Sequence, residues 1–196
     1  MTVLLRVDAT ATTPAMVLRP WEERDIEPLI EVYRDPVIQR WTRIPVSHHE
    51  DAVRWLRIQS EGWADGTRLS FAVYEEIPAA GGSLVANIVV KASDPAGRTA
   101  EVGYWTAAAA RGRGVAPRAL EAVSVWAFNA VGGGGLGELR LLHQIDNPAS
   151  CRVAEKTGYE YAETLAARPP FPVAGHLHIR RARVLEKPCG AAPLDR

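Results

Sequence analysis

Two periodicities alternate along this chain, and together they predict one sheet interleaved with helices. Met16-Val17-Leu18-Arg19 reads as a strand that runs into Pro20-Trp21. A helix is predicted over Asp25–Arg34, stopping at Asp35-Pro36 because proline disfavours helix in the residue before it. A second helix is expected from Ser47, where Ser47-His48-His49-Glu50 has the spacing of a capping box, with Val53, Trp55 and Leu56 on its buried face. The period then drops to two. Leu69, Phe71 and Val73 alternate with Arg68, Ser70 and Ala72, and Leu84–Lys91 is a run rich in β-branched residues (Val85, Ile88, Val89, Val90), suited to a buried strand. Pro78, Gly81 and Gly82 between them predict a hairpin over Glu75–Ser83. Thr99–Thr106 is a further strand, with Gly103 marking a bulge or a close approach of another chain or a ligand.

A glycine-bearing loop, Arg111–Ala116, leads into a helix predicted to open at Pro117, a favoured first-turn residue, with Leu120, Val123, Ala127 and Ala130 as its apolar stripe. Gly132–Gly137 ends it, Leu139–Ile145 is a strand, and Asn147-Pro148 caps a short helix that stops at Gly158. Tyr159–Leu165 and Leu177–Leu185 complete the strands. The order β α α β β β α β α β β belongs to an α+β, or mixed α/β, single domain over residues 14–187, with a loose arm at 1–13 and a tail at 188–196.

Composition narrows the function classes. The chain has 196 residues, enough for one core without staples, and its 23 basic and 23 acidic residues cancel. That balance calls for neither nucleic acid nor an anionic membrane as partner. Cys151 and Cys189 make no secreted disulfide framework and no CxxC pair. No apolar run approaches the ~20 residues of a membrane span, so the cytoplasm is the expected location.

Arg111-Gly112-Arg113-Gly114-Val115-Ala116-Pro117 carries the most chemistry. It sits between a strand and a helix, where free amides and the helix dipole favour an anion. Successive amides in such a turn form a nest for phosphate or diphosphate. A glycine turn that serves only tight strand-to-helix packing fits the spacing equally well. No Gly-Lys-Ser/Thr follows, so this is not a Walker loop.

Strand Glu101–Trp105 followed by Arg111-x-x-Gly114-x-Ala116 and a helix resembles motif A of the GNAT acyltransferases, Q/R-x-x-G-x-G/A. Asp146-Asn147-Pro148-Ala149-Ser150-x-x-Val153-x-Glu155-Lys156-x-Gly158-Tyr159 is similar to that family's second signature, N-x-x-S-x-x-V-x-E-K-x-G-F. The serine version is closest to the subgroup of ribosomal-protein N-terminal acetyltransferases (RimJ/RimL type), many of whose members act on other amines. The resemblance implies a single GNAT-like domain: a mostly antiparallel sheet with splayed strands, flanked by about four helices. It implies acetyl-CoA as co-substrate, held by the turn Arg111, Gly112, Arg113, Gly114, Val115, Ala116 and Pro117, by the backbone of Tyr104, Trp105 and Thr106, and by Asn147. Ser150 would sit near the thioester sulfur and protonate the leaving thiolate. Glu101 is the candidate base for the attacking amine, or else a surface strand glutamate. Two departures stand out: Ala154 replaces the tyrosine many members carry, and Leu142 occupies a place where some carry a glutamate base.

The implied reaction is acetyl transfer to a primary amine, on a protein N-terminus or a small molecule, by direct attack in a ternary complex. A catalytically silent acyl-CoA-binding module is the alternative, and a phosphate-binding protein unrelated to CoA a third. A monomer or homodimer is expected. Gly132–Gly137 formally matches G-x-G-x-x-G but follows a helix and precedes a strand, the reverse of a dinucleotide fingerprint. Cys151 with His143 is expected to be packing rather than a nucleophilic pair. His176 and His178 share a strand face with Arg180 and, lacking a third ligand, are expected to face solvent or the acceptor pocket, so no metal is expected. Trp41, Trp55 and Trp63 cluster near the first two helices, where most tryptophans are core, but the resemblance implies that this region walls the acceptor site, so some of them would shape substrate choice.

Overall fold

The computed structural model describes residues 3–76, 82–93, 98–130, 136–168 and 172–182. The hairpin connection, most of Gly132–Gly137, the end of the last strand and the tail at 188–196 lie outside them. Eight strands form one sheet: β1 (Leu5–Val7), β2 (Met16–Pro20), β3 (Arg68–Glu75), β4 (Ser83–Ala92), β5 (Thr99–Thr106), β6 (Glu138–Gln144), β7 (Glu160–Leu165) and β8 (Gly175–Arg181). Their spatial order is β1-β2-β3-β4-β5-β6-β8-β7, and every pairing is antiparallel except β5 with β6.

Five helices cover the sheet: α1 (Ile26–Tyr33), α2 (Pro36–Trp41), α3 (His49–Asp65), α4 (Val115–Ala130) and α5 (Pro148–Lys156). One face packs Leu29, Tyr33, Ile38 and Trp55 of α1–α3 against Ala72, Leu84 and Trp105. The other packs Leu120, Val123 and Ala127 of α4 and Ala154 of α5 against Phe71, Ile88, Val102 and Leu141. Strands β3 and β4 are therefore buried on both sides, as their apolar runs require.

Several expectations change. The arm at 1–13 is not wholly loose, because Leu5, Arg6 and Val7 pair with Leu18, Val17 and Met16 at the sheet edge. Asp35-Pro36 ends one helix and opens another: the Asp35 carboxylate accepts the Val37 amide at 2.9 Å, and Pro36 occupies a first-turn position where its missing N–H costs nothing. The expected Ser47/Glu50 capping box is not formed. Helix α3 starts at His49 with His48 as its cap, and Asp51 reaches back to the Ser47 amide at 3.0 Å. Its buried face is Ala52, Trp55, Gln59 and Gly62, while Val53 is exposed. The Cβ a residue would add at Gly62 falls 2.5 Å from Arg68 Cβ, so glycine there lets α3 lie against β3. Helix α4 opens at Val115, two residues before Pro117.

Candidate active site

The parallel pairing of β5 and β6 runs from Thr99↔Glu138 to Val102↔Leu141 and stops. Both strands continue beyond that point, to Thr106 and Gln144. Their ends therefore part like a fork, and from Gly103 onward β5 has no ladder partner on that side. On its other side β5 remains fully paired with β4. A cleft of about 440 Å³ occupies the opening, bordered by Gly103–Trp105 and Leu141–Gln144, with Glu101, Asn147 and Ser150 also on its wall. Strand alternation turns the backbone groups of Tyr104 and Thr106 toward the open edge, while those of Trp105, opposite Asn87, are spent on β4.

The turn between β5 and α4 lies beyond the tip of β5. Gly112 and Gly114 have φ of 73° and 78°, left-handed values that side chains with a Cβ adopt at a cost. Nothing lies within 4 Å of a Cβ built at either, so conformation rather than crowding requires glycine there. The first amide to bond back into α4 is that of Arg118, to the Gly114 carbonyl at 3.3 Å. The amides from Gly112 to Ala116 precede this ladder and form the free N-terminal rim of a 16-residue helix. The arginines of the turn tie it to neighbouring elements. Arg111 ion-pairs with Asp35 at the α1–α2 junction. Arg113 donates from its Nη2 to both oxygens of Glu75, a carboxylate only 4% exposed, at 2.9 Å each.

Ser150 sits in the first turn of α5 and is 7% exposed. Its amide lies 3.4 Å from the Asn147 side-chain oxygen, so Asn147 is the helix cap as well as part of the cleft wall. The Tyr104 hydroxyl donates to Ser150 Oγ at 3.1 Å. Burial pushes the Tyr104 phenol up to about 12, so it remains a proton donor across neutral pH. This side chain escaped the sequence reading, which assigned Tyr104 a backbone role only. Ala154, where a family tyrosine was looked for, is fully buried core, and a tyrosine reaches the serine from β5 instead. Alternation along β5 was the available signal: Tyr104 shares a face with Ala100 and Val102, toward α5.

Glu101 lies on the opposite face of β5. It stands opposite Lys91 of β4 and ion-pairs with it, and both line the cleft. Trp41 and Trp55 line the same mouth. Trp63 does not: it packs on Phe71 and Trp126 across the sheet and donates to the Ser70 carbonyl at 2.9 Å.

The histidines depart from expectation. His178 is 2% exposed rather than facing solvent. His143 of β6 stands opposite His176 of β8, and Cys151 of α5 lies 3.4 Å from His143 Nε2 and 3.3 Å from His176 Nδ1. Burial lowers His143 and His178 below the usual imidazole range and raises the Cys151 thiol. His143 and Cys151, which the sequence did not group with His176 and His178, are brought beside them by a neighbouring strand and a helix.

The chain belongs to the acetyltransferase (GNAT) domain family, whose model matches residues 15–160. That membership makes it an acyltransferase. Among solved structures it is similar to RimJ from Mycobacterium smegmatis in complex with a CoA disulfide, at 22% identity and TM-score 0.70, covering 95% of this chain and 89% of that one. It is similar to RimL, a ribosomal L7/L12 α-N-protein acetyltransferase in complex with coenzyme A, at 16% identity and TM-score 0.74, covering 90% and 97%. It also resembles the microcin C7 self-immunity acetyltransferase MccE in complex with acetyl-CoA and AMP, at 15% identity and TM-score 0.74, covering 88% and 98%. At these identities the likeness establishes the fold. A search of curated proteins finds no match. Among the described residues no helix is long and apolar enough to cross a membrane.

Proposed function

We propose that this protein transfers an acetyl group from acetyl-CoA to a primary amine by direct attack in a ternary complex. The observation that carries the reading is the fork itself: an open strand edge ending at a left-handed glycine turn, with a hydroxyl pair at its apex. These features fit the group. The turn from Gly112 to Ala116 would hold the diphosphate, the edge of Tyr104–Thr106 would pair with the pantetheine amides, and Asn147 would border the arm. Bound there, the thioester supplies an acyl carbon open to attack and a thiolate that must leave with a proton.

The two faces of β5 divide the remaining work. On the α5 face, Tyr104 donates to Ser150, which leaves the serine's own proton free to point into the cleft as the acid. On the other face, Glu101 beside Lys91 borders the mouth where an amine would enter. An amine of pKa about 8 to 10 is mostly protonated at neutral pH, and Glu101, directly or through water, would relieve it of that proton. Trp41 and Trp55 supply an apolar wall for the acceptor. The solved relatives include enzymes named for ribosomal-protein N-termini and for an antibiotic, so both acceptor classes belong in the test. The test is free-thiol release from acetyl-CoA across N-terminal peptides, lysine peptides, aminoglycosides and polyamines. Amine-dependent release is expected with at least one acceptor class. CoA binding with no release from any of them would favour a silent acyl-CoA-binding module.

A further inference from the structure

His143, Cys151, His176 and His178 each present one ligand atom, and these atoms all lie within 4.8 Å of one another. The fold assembles them from three elements. His143 and His176 are register partners on β6 and β8, His178 lies two residues on along the same face of β8, and Cys151 projects from the first turn of α5. The rings of His143 and His178 stack at 5.3 Å, and Tyr161 packs its ring against His176 and His178 at 5.4 and 5.8 Å.

Hydrogen bonding alone does not satisfy this cluster. His143 Nδ1 lies 2.8 Å from the Gln144 carbonyl, which can only accept, so the proton of a neutral His143 ring is on Nδ1 and the Nε2 lone pair faces Cys151. The thiol has one proton and two imidazole nitrogens at bonding distance. His178, although 2% exposed, has no hydrogen-bond partner on either ring nitrogen. The Tyr159 backbone lies near that ring and partly offsets the effect of its burial, without meeting hydrogen-bond geometry. A buried donor or acceptor left without a partner is destabilising, so its persistence asks for a partner.

We propose that these four side chains bind one zinc(II) ion in a closed His3Cys site. Zinc with bonds of about 2.0–2.1 Å to nitrogen and about 2.3 Å to sulfur sets neighbouring ligand atoms roughly 3.3–3.6 Å apart. The two sulfur–nitrogen separations, 3.3 and 3.4 Å, already stand near that spacing. Side-chain movement of about 1–1.5 Å would draw in the widest pair. The nitrogen and sulfur donor set excludes calcium and magnesium. The Gln144 carbonyl plays the outer part usual for a metal-bound histidine, holding the ring in the tautomer that presents Nε2. On binding, the thiol proton leaves to solvent and the thiolate and three neutral imidazoles fill all four positions. With no position left for water, the ion is structural: it ties the first turn of α5, which carries Ser150 next to Cys151, to strands β6 and β8.

The test uses tag-free full-length protein stripped with a chelator, and it does not depend on acetyl transfer. Titration of zinc against a chromophoric chelator should show one ion per chain bound at sub-micromolar Kd. Cobalt(II) in its place should give visible bands of tetrahedral intensity and a thiolate-to-cobalt charge-transfer band. Cys151→Ser, nearly isosteric, should lose that band and weaken zinc at least about 100-fold, and His178→Gln should weaken zinc while keeping the band. Folded wild-type protein that takes up no stoichiometric zinc overturns the proposal, as does a charge-transfer band that survives in Cys151→Ser. Should His178→Gln fail to fold, the wild-type cobalt spectrum and Cys151→Ser decide alone.

Discussion

Two buried polar clusters sit at opposite ends of the sheet, and they are built on opposite plans. At the β2–β3 end, Asp25 is 0% exposed and fully answered: Arg19 grips both its oxygens at 2.7 and 2.8 Å, the Glu22 amide donates at 2.8 Å and Tyr74 at 2.7 Å. Burial pushes this carboxyl upward, but the hydrogen bonds from Arg19, Glu22 and Tyr74 outweigh it and hold the group below the usual range. At the other end the β5–β6 ladder parts after Val102, His178 of the β6–β8 pair has no partner on either ring nitrogen, and the Tyr104 hydroxyl donates to Ser150. The closed cluster is satisfied from within the chain, and the open one leaves polar groups that the chain itself does not answer.

The largest effect is expected at the closed end. Arg19→Met leaves a buried carboxylate unpaired and should cost about 3–5 kcal/mol of stability by chemical denaturation, with coenzyme A affinity unchanged in the folded fraction. A loss under about 1 kcal/mol would mean that the cluster is not the anchor its geometry describes. Ser150→Ala should do the reverse: kcat falls about 100-fold, equivalent to ~2.7 kcal/mol in the barrier, while stability and coenzyme A affinity hold. A wild-type kcat would remove Ser150 as the acid.

Smaller effects sharpen the contrast. Because the folded Asp25 carboxyl is depressed, its contribution to stability is complete above the unfolded pKa near ~3.9 and is lost as pH falls through the folded value. Thermal unfolding followed from pH 7 to pH 2 should show this component only in the acid part, and Arg19→Met should flatten it. Tyr104→Phe removes one hydrogen bond to Ser150 and should cost about 1 kcal/mol in kcat/KM, a several-fold loss. No change in kcat/KM would make that contact incidental.

Most of the strand and helix order was legible because it rests on local pattern. The run Leu84–Lys91 and the α4 stripe of Leu120, Val123 and Ala127 fall where their periods place them. The turn at Gly112 and Gly114 was legible because left-handed backbone leaves a residue signature. What stayed hidden depends on contacts between elements distant in sequence. Leu5–Val7 is a strand only because β2 offers it an edge. Tyr104 meets Ser150 across 46 residues, and Cys151 meets His176 across 25. No spacing rule links such residues until the β6–β8 register brings them together. Val53 misled because α3 turns its Ala52–Trp55–Gln59 face inward, where Gln59 is held by Arg68 and by the Trp55 carbonyl.

In the proposed reading, coenzyme A enters the open end of the sheet and its binding depends on the backbone of the glycine turn. Calorimetric titration of coenzyme A into wild-type protein and Gly114→Glu tests it directly. A forced left-handed backbone and a carboxylate at the nest should remove binding, against one-to-one saturable binding in the wild type. Equal affinity in the two proteins, or no binding to the wild type, would contradict the account.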